Sequence, residues 1–150
     1  MNTATINTQP NAQNVAYAAL VTRLSLGVMY LAHGLLKVLV FTPAGTVGFF
    51  ESIGLPGFFA YLTILAEVGG GLLLIAGIGT RLVSAALIPA LLGALFLVHA
   101  DKGWLFSAPG GGWEYPAFLI AASVVAVLLG NGAYALADRL PVLRDLKLAS

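Results

Sequence analysis

Four runs of apolar residues, each near the length needed to cross a bilayer, constrain this chain more than any other feature. They are Val15 to Phe41, Pro56 to Ile78, Leu82 to His99 and Tyr115 to Leu129. A hydrocarbon core about 30 Å thick takes roughly 20 apolar residues in a helix. Only 9% of the residues are charged and 59% are hydrophobic, whereas a soluble domain carries about 25% charged residues. A soluble fold of this size would need more polar surface than the chain supplies. Disorder, a coiled coil and nucleic-acid binding fall on the same ground, since each needs many charges. The formal net charge is +1 and cysteine is absent. Bulk electrostatics therefore implies no partner, and disulfides, thiol catalysis and thiolate metal sites are excluded. What remains is an all-α integral membrane four-helix bundle with short interfacial helices.

The connections refine this. Gly77-Ile78-Gly79-Thr80 joins spans two and three as an antiparallel hairpin, and Ala100 to Glu114 holds Pro109-Gly110-Gly111-Gly112, which forbids a long helix. Between Thr42 and Leu55, Pro43 suits a first helical position and Gly54 a C-terminal cap. Val47, Phe50 and Gly54, with Phe49 and Ile53, give that short helix an apolar side for the membrane surface. Residues 1–14 are rich in Asn and Thr and lack the positive region and cleavage site of a secretory signal. They are expected to be a retained, disordered tail, with span one as a signal anchor. Residues 15–132 form the membrane domain. From 133 to 150, Leu136, Leu140, Leu143 and Leu146 lie among Arg, Lys and Asp, the pattern of a short interfacial helix broken near Pro141.

With four crossings, both termini share a side with the Gly79–Arg81 turn. That side holds Arg23, Arg81, Arg139, Arg144 and Lys147, and the other holds Lys37 and Lys102. The excess survives if Arg23, inside its span, is left out. The positive-inside rule then places both termini in the cytoplasm, and Trp104, Trp113 and Tyr115 form an aromatic belt at the outer interface.

A charged group near the centre of a membrane helix costs roughly 2.5–3.5 kcal/mol on insertion scales, so the ionisable residues retained inside the spans are informative. Arg23, Tyr30, His33 and Lys37 recur at spacings of 7, 3 and 4 and fall on one stripe of span one. The stripe faces the bundle interior or a wet cavity; alternatively Arg23 and Lys37 snorkel to opposite interfaces and His33 is a satisfied core residue. Glu67 sits ten residues into span two, about 15 Å deep. Its neighbours Ala66, Gly69, Gly70 and Gly71 let another helix approach closely. It needs a partner from another helix or must stay neutral, and Arg23, Tyr30 and His33 are the candidates by depth. An ion pair that merely fixes bundle register is the structural alternative. His33, Lys37, His99 and Glu114 all belong to the outer half. With Glu67 below them they are expected to line one outward-facing polar pocket, although His99 suits an interface and Glu114 a first helical turn. Arg81 reads as a topology anchor. Thr22-Arg23-Leu24 and Thr80-Arg81-Leu82 both open spans on the cytoplasmic side, hinting at two related hairpins.

Three chemistries compete for such a pocket. A metal or haem site would use His33, His99, Glu67 and Glu114, but no Glu-x-x-His pair is present, so no metal is assigned. A quinone or similar small molecule needs apolar walls and a few polar groups for its oxygens, and a histidine with a carboxylate suits proton exchange with it. Gly69-Gly70-Gly71 lies inside a membrane helix and is no phosphate loop, so any further redox cofactor would come from a partner subunit. The third reading is a small-solute transporter or a non-catalytic assembly protein.

The chain resembles the DoxX family of small four-span bacterial membrane proteins over Val21 to Leu140. The likeness rests on Arg23, His33-Gly34 and Lys37, then Gly54-Leu55-Pro56, Glu67 with Gly70-Gly71, the Gly77–Arg81 turn, His99, Glu114 and Gly130-Asn131-Gly132. Where the family typically carries a Ser-Leu-Asp triplet, Ala135-Leu136-Ala137-Asp138 keeps the acid and lacks the serine. The resemblance implies a four-helix bundle in the bacterial cytoplasmic membrane. Some members are similar to subunits of quinol oxidases or thiosulfate:quinone oxidoreductases, and others are linked to oxidative-stress complexes. The expected function is therefore an accessory or membrane subunit of a quinone-linked oxidoreductase system. Glu67 and His33 would exchange protons, and Lys37 would hold an anionic oxygen. His99 and Glu114 would form the rim, with Tyr30 and Arg23 further along the binding stripe. Arg81, Gly70 and Gly71 would be structural. The expected partners are the lipid bilayer, soluble redox subunits and further copies of the chain.

Overall fold

The structure, a computed structural model, describes residues 11–140. Most of the expected N-terminal tail, together with Arg144, Lys147, Leu143, Leu146 and Pro141, lies outside the described residues. Helix α1 spans Ala12–Leu39 and starts three residues earlier than expected, because the Asn11 side chain accepts a hydrogen bond from Gln13 N and caps it. Helix α2, Pro43–Ser52, begins on the proline the sequence singled out and stops before Gly54, whose φ of +83° ends the helix. Helix α3 covers Phe58–Ala76, and Gly77, at φ +70°, turns the chain into α4, Thr80–Gly93. Beyond Gly93 the helix loosens into a π-helical turn, Ala94–His99, and a 3-10 turn, Ala100–Lys102. Helix α5 is Glu114–Leu129.

Three helical stretches are long and apolar enough to cross a membrane, namely Ala12–Leu39, Phe58–Ala76 and Thr80–Lys102; α5 is equally apolar but shorter, at 16 residues. The four long helices close a ring, α1 against α3, α3 against α4, α4 against α5 and α5 against α1, with α2 packed on α3. The core is small: Leu26, Tyr30, Leu74, Leu87, Leu91, Leu119 and Ala126. Large apolar side chains point outward instead, with Leu65, Phe118 and Leu128 each 70% exposed. Water would penalise that distribution, and lipid tails accept it.

The first and last described residues share one end of the bundle, called here the terminal end. Helix α2 and the 103–113 segment occupy the other, the loop end. The described part of the tail, 133–140, is a run of turns and not the expected interfacial helix. Its backbone N–H groups are spent on other elements: Ala133 N bonds Ala16 O, Leu136 N bonds Ala76 O and Ala137 N bonds Gly77 O. Ala135 and Ala137 are fully enclosed, and a Cβ on Gly77 would stand 2.8 Å from Ala135 Cα. Small residues are what this docking needs.

Candidate functional site

The α1–α3 contact brings the sequence-selected residues together. It is a backbone-close contact: a Cβ on Gly71 would lie 2.7 Å from Leu31 N, and one on Gly34 would lie 3.0 Å from Val68 N. Gly34 consequently stands level with Glu67. Lys37 is nearly a turn further toward the loop end. A helical side chain leans toward its own N-terminus, so in this antiparallel pair Lys37 reaches inward while Glu67 reaches outward. They meet, with Lys37 Nζ 2.6 and 2.9 Å from the two carboxylate oxygens and 3.5 Å from His33 O. The partner of Glu67 does come from another helix. It is Lys37, however, and not Arg23, Tyr30 or His33, the three candidates that Cα depth selected. The side chains remain 19% and 11% exposed, so the pair is enclosed without being sealed.

His33 sits beside this pair. Its Nδ1 lies 2.9 Å from Met29 O; a carbonyl can only accept, so Nδ1 is the donor, which in a neutral imidazole leaves Nε2 as an acceptor and in an imidazolium leaves it a second donor. The imidazole stacks on Tyr115 of α5, with centroids 6.0 Å apart and 28° between planes, and the Tyr115 hydroxyl points at Met29 Sδ. Tyr115 also lines a cavity of about 530 Å³ with Trp104, Phe106, Glu114, Ala117 and Phe118. One wall of it is the 103–113 segment, held down by His99 Nδ1 against Gly111 O and by Glu114, whose carboxylate accepts from Phe106 N. His99 and Glu114 therefore brace the loop over the cavity. A second cavity of about 340 Å³ lies between α2 and the end of α4, lined by Phe49, Ile53 and Phe96 among others. Glu67, His33 and Lys37 line neither, so the single hollow expected from sequence resolves into an ion pair, which the His33 carbonyl approaches, and a separate aromatic cavity lined by Tyr115, on which the His33 ring stacks.

Arg23 and Tyr30 lie elsewhere. Arg23, 1% exposed at the terminal end, gives Nε to Asn131 O, NH1 to Leu74 O and Ile75 O, and NH2 to Ala133 O. It ties the last carbonyls of α3 to the segment after α5. Tyr30 shares a 2.9 Å hydrogen bond with Ser123 at the centre of the core. Gly70 admits Leu87 of α4 and Gly71 admits α1, while Arg81 lies over Gly130. Sequence reasoning passed over Ser123, Thr80 and Ser84; their one signal is a lone hydroxyl within an apolar helix. Among the described residues no three His, Asp or Glu side chains gather as a metal ion would require.

The DoxX family model matches residues 18–100. The chain belongs to the DoxX family. The match covers α1 to the end of α4 and thus Arg23, Tyr30, His33, Lys37, Glu67, Arg81 and His99, while Glu114, Tyr115 and Ser123 follow it. Among DoxX-type relatives, the chain is 33% identical over 112 residues to "Putative oxidoreductase CatD" of Bacillus subtilis (strain 168), covering 75% of this chain and 78% of that protein. It is 34% identical over 82 residues to "Inner membrane protein YqjF" of Escherichia coli (strain K12), covering 55% of this chain and 62% of that one. No solved structure matches. This DoxX protein is accordingly a membrane protein, and a relative covered over most of its length is named as an oxidoreductase.

Proposed function

We propose that the protein is a membrane or accessory subunit of a quinone-linked oxidoreductase system of the bacterial cytoplasmic membrane. In this reading α5 is a fourth crossing, the terminal end faces the cytoplasm and the loop end faces outward. The observation that carries the reading is that His33 touches both features: its carbonyl lies 3.5 Å from Lys37 Nζ of the part-open Lys37–Glu67 pair, and its ring stacks on Tyr115, which lines the aromatic cavity. Small-molecule sites have volumes of about 300–1,000 Å³, apolar walls and a few polar groups. The cavity bounded by Trp104, Phe106, Tyr115 and Phe118, with one carboxylate at Glu114, is an open groove whose volume and aromatic lining suit one face of a flat quinone head.

A bound quinone would supply two-electron, two-proton acceptor chemistry, with electrons delivered by a soluble partner subunit. This chain's residues manage protons and position. Tyr115 and Phe118 offer ring faces. Neutral His33 presents Nε2 as a proton acceptor and holds its orientation through Met29 O. Lys37 keeps a positive charge where an oxygen gains negative charge, and Glu67 balances that charge until then. The test uses purified protein in nanodiscs titrated with a short-chain quinone, read by quenching of Trp104 and Trp113. His33→Ala and Glu67→Gln each weaken binding at least about tenfold, near 1.4 kcal/mol. Equal binding by both variants removes these residues from the site, and no binding by the parent protein removes the reading.

A further inference from the structure

The cavity between α2 and the end of α4 takes no part in the site described above. Its volume is about 340 Å³, with Phe49 and Ile53 of α2 on one side and Phe96 and Leu97 of the π-helical turn on the other. Phe49, Phe96 and Leu97 are all exposed. Helix α2 packs on α3 and lightly on α1, and no comparable packing ties it to the π-helical turn. The cavity is therefore an open apolar groove between two elements that do not close on each other.

Two opposite charges line the same groove, Asp101 and Lys102, at the end of the helical stretch Thr80–Lys102. That stretch holds 23 residues, about 35 Å at 1.5 Å per residue, against a hydrocarbon core of about 30 Å. With Arg81 at one end, Lys102 reaches headgroup level at the other. Lys102 Nζ lies 2.8 Å from Asp101 Oδ2. The lysine stem runs past Gly110, where a Cβ would stand 3.2 Å from Lys102 Cδ and 3.3 Å from Cε. Gly110 has φ +87°, so the residue that turns the loop also leaves room for the stem. An exposed pair of this kind adds little to stability, and a ligand that carries both charges opens it at little cost.

We propose that this groove is a phospholipid site selective for phosphatidylethanolamine. An acyl chain lies between α2 and the π-helical turn, the phosphate oxygens accept from the Lys102 ammonium, and the primary ammonium of the lipid donates to the Asp101 carboxylate. Apolar surface beside a basic group at the membrane boundary is the setting in which headgroups bind. The acid next to the lysine sets the choice among them. Phosphatidylcholine carries the same two charges, but its quaternary ammonium has no N–H to give Asp101. Phosphatidylglycerol brings a phosphate with no cation and sets it beside the carboxylate. A second protein copy over the groove would take the ion pair out of water, a cost a hydrated headgroup avoids. The site stands apart from the quinone reading and does not rest on it.

Native mass spectrometry tests the site on the full chain in mild detergent, with equal amounts of the three lipids in matched acyl chains. The parent protein should retain one phosphatidylethanolamine at least about fivefold more than either other lipid. Lys102→Ala should bring it down to the phosphatidylcholine level. Asp101→Asn leaves the lysine without its acid, so the preference should pass to phosphatidylglycerol. Ala100→Trp, which sets an indole in the groove, should lower retention of all three. These positions are exposed, so helical circular dichroism should match the parent. Equal retention of the three lipids by the parent overturns the proposal. A phosphatidylethanolamine preference that survives both charge variants, or Ala100→Trp, places it elsewhere on the surface and overturns it too. A dimer that Ala100→Trp disperses, with no lipid preference in the parent, overturns it in favour of a second copy on the groove.

Discussion

Lys37→Met would delete the amine that meets Glu67 and leave a carboxylate at the α1–α3 contact. At an effective dielectric of about 20, unit charges about 2.8 Å apart attract by roughly 6 kcal/mol, and desolvation of both ends offsets much of this. Breaking a buried pair costs about 3–5 kcal/mol. With the lysine 19% and the glutamate 11% exposed, solvent screening puts Lys37→Met at the lower end, about 3 kcal/mol. Glu67→Gln should cost about half of that, roughly 1.5 kcal/mol, because the amide oxygen still accepts from the amine and a lysine near a helix end can also reach headgroups. The double variant carries neither charge and should also lose only about 1.5 kcal/mol, a coupling near 3 kcal/mol. Reversible unfolding in mixed micelles, followed by helical circular dichroism, measures all four proteins. Strictly additive losses, or a Lys37→Met cost under about 0.5 kcal/mol, would show that each charge is satisfied without the other. The ion pair would then be incidental, and the reasoning that placed the site on it would fail.

Three further outcomes follow from the packing. Gly71→Ala forces a Cβ against Leu31 N and Gly27 O, backbone atoms that cannot yield, and should lose about 1–3 kcal/mol in the same assay. Gly69→Ala meets nothing within 4 Å and should be neutral or slightly stabilising. Arg23→Met takes a donor from four carbonyls, of which Leu74 O keeps Gly77 N, and should abolish monodisperse protein on detergent extraction; Arg23→Lys should not rescue it, since an ammonium has three donors against the five of a guanidinium. His99→Ala frees the Gly111 carbonyl, so limited proteolysis should cut the 103–113 segment faster while the helices stay intact.

The spans were legible because bilayer length is written as a run of apolar residues, and α2 because Pro43 and Gly54 punctuate it. The tail was misread because an apolar i, i+4 pattern cannot show that the N–H groups of Ala133, Leu136 and Ala137 would bond to the ends of α1 and α3. The loosening of α4 after Gly93 was passed over, although Pro89 and Gly93 stand just before it. At the site, counting residues gave Arg23, Tyr30 and His33 as candidates for Glu67 by depth, and the backbone does set Gly34, next to His33, level with Glu67. The count failed at the side chains, because two antiparallel helices lean theirs in opposite directions, which moves the meeting point to Lys37. Tyr115 was read as an interface aromatic, and its stacking on His33 depends on how α5 closes the ring.

The two cations of α1 share a stripe yet meet opposite conditions, and the difference separates fastening from chemistry. Arg23 is enclosed to 1% and surrounded by neutral carbonyls from the end of α3 and the segment after α5, to which it donates four hydrogen bonds. A planar fork of five donors that cannot lose its charge suits that duty. Lys37 meets a single carboxylate and keeps 19% of its side chain open. An ammonium on a flexible stem can leave one anionic oxygen for another with little rearrangement of its helix. A group that must answer charge developing on a ligand needs that freedom, and a group that ties helix ends together must lack it. The aromatic cavity lies at the loop end, as Lys37 does, and the turn-rich tail docks around Arg23. The proposed function accordingly sets its ligand chemistry at the loop end, with the terminal end acting as the clasp that keeps the ring of helices closed beneath it.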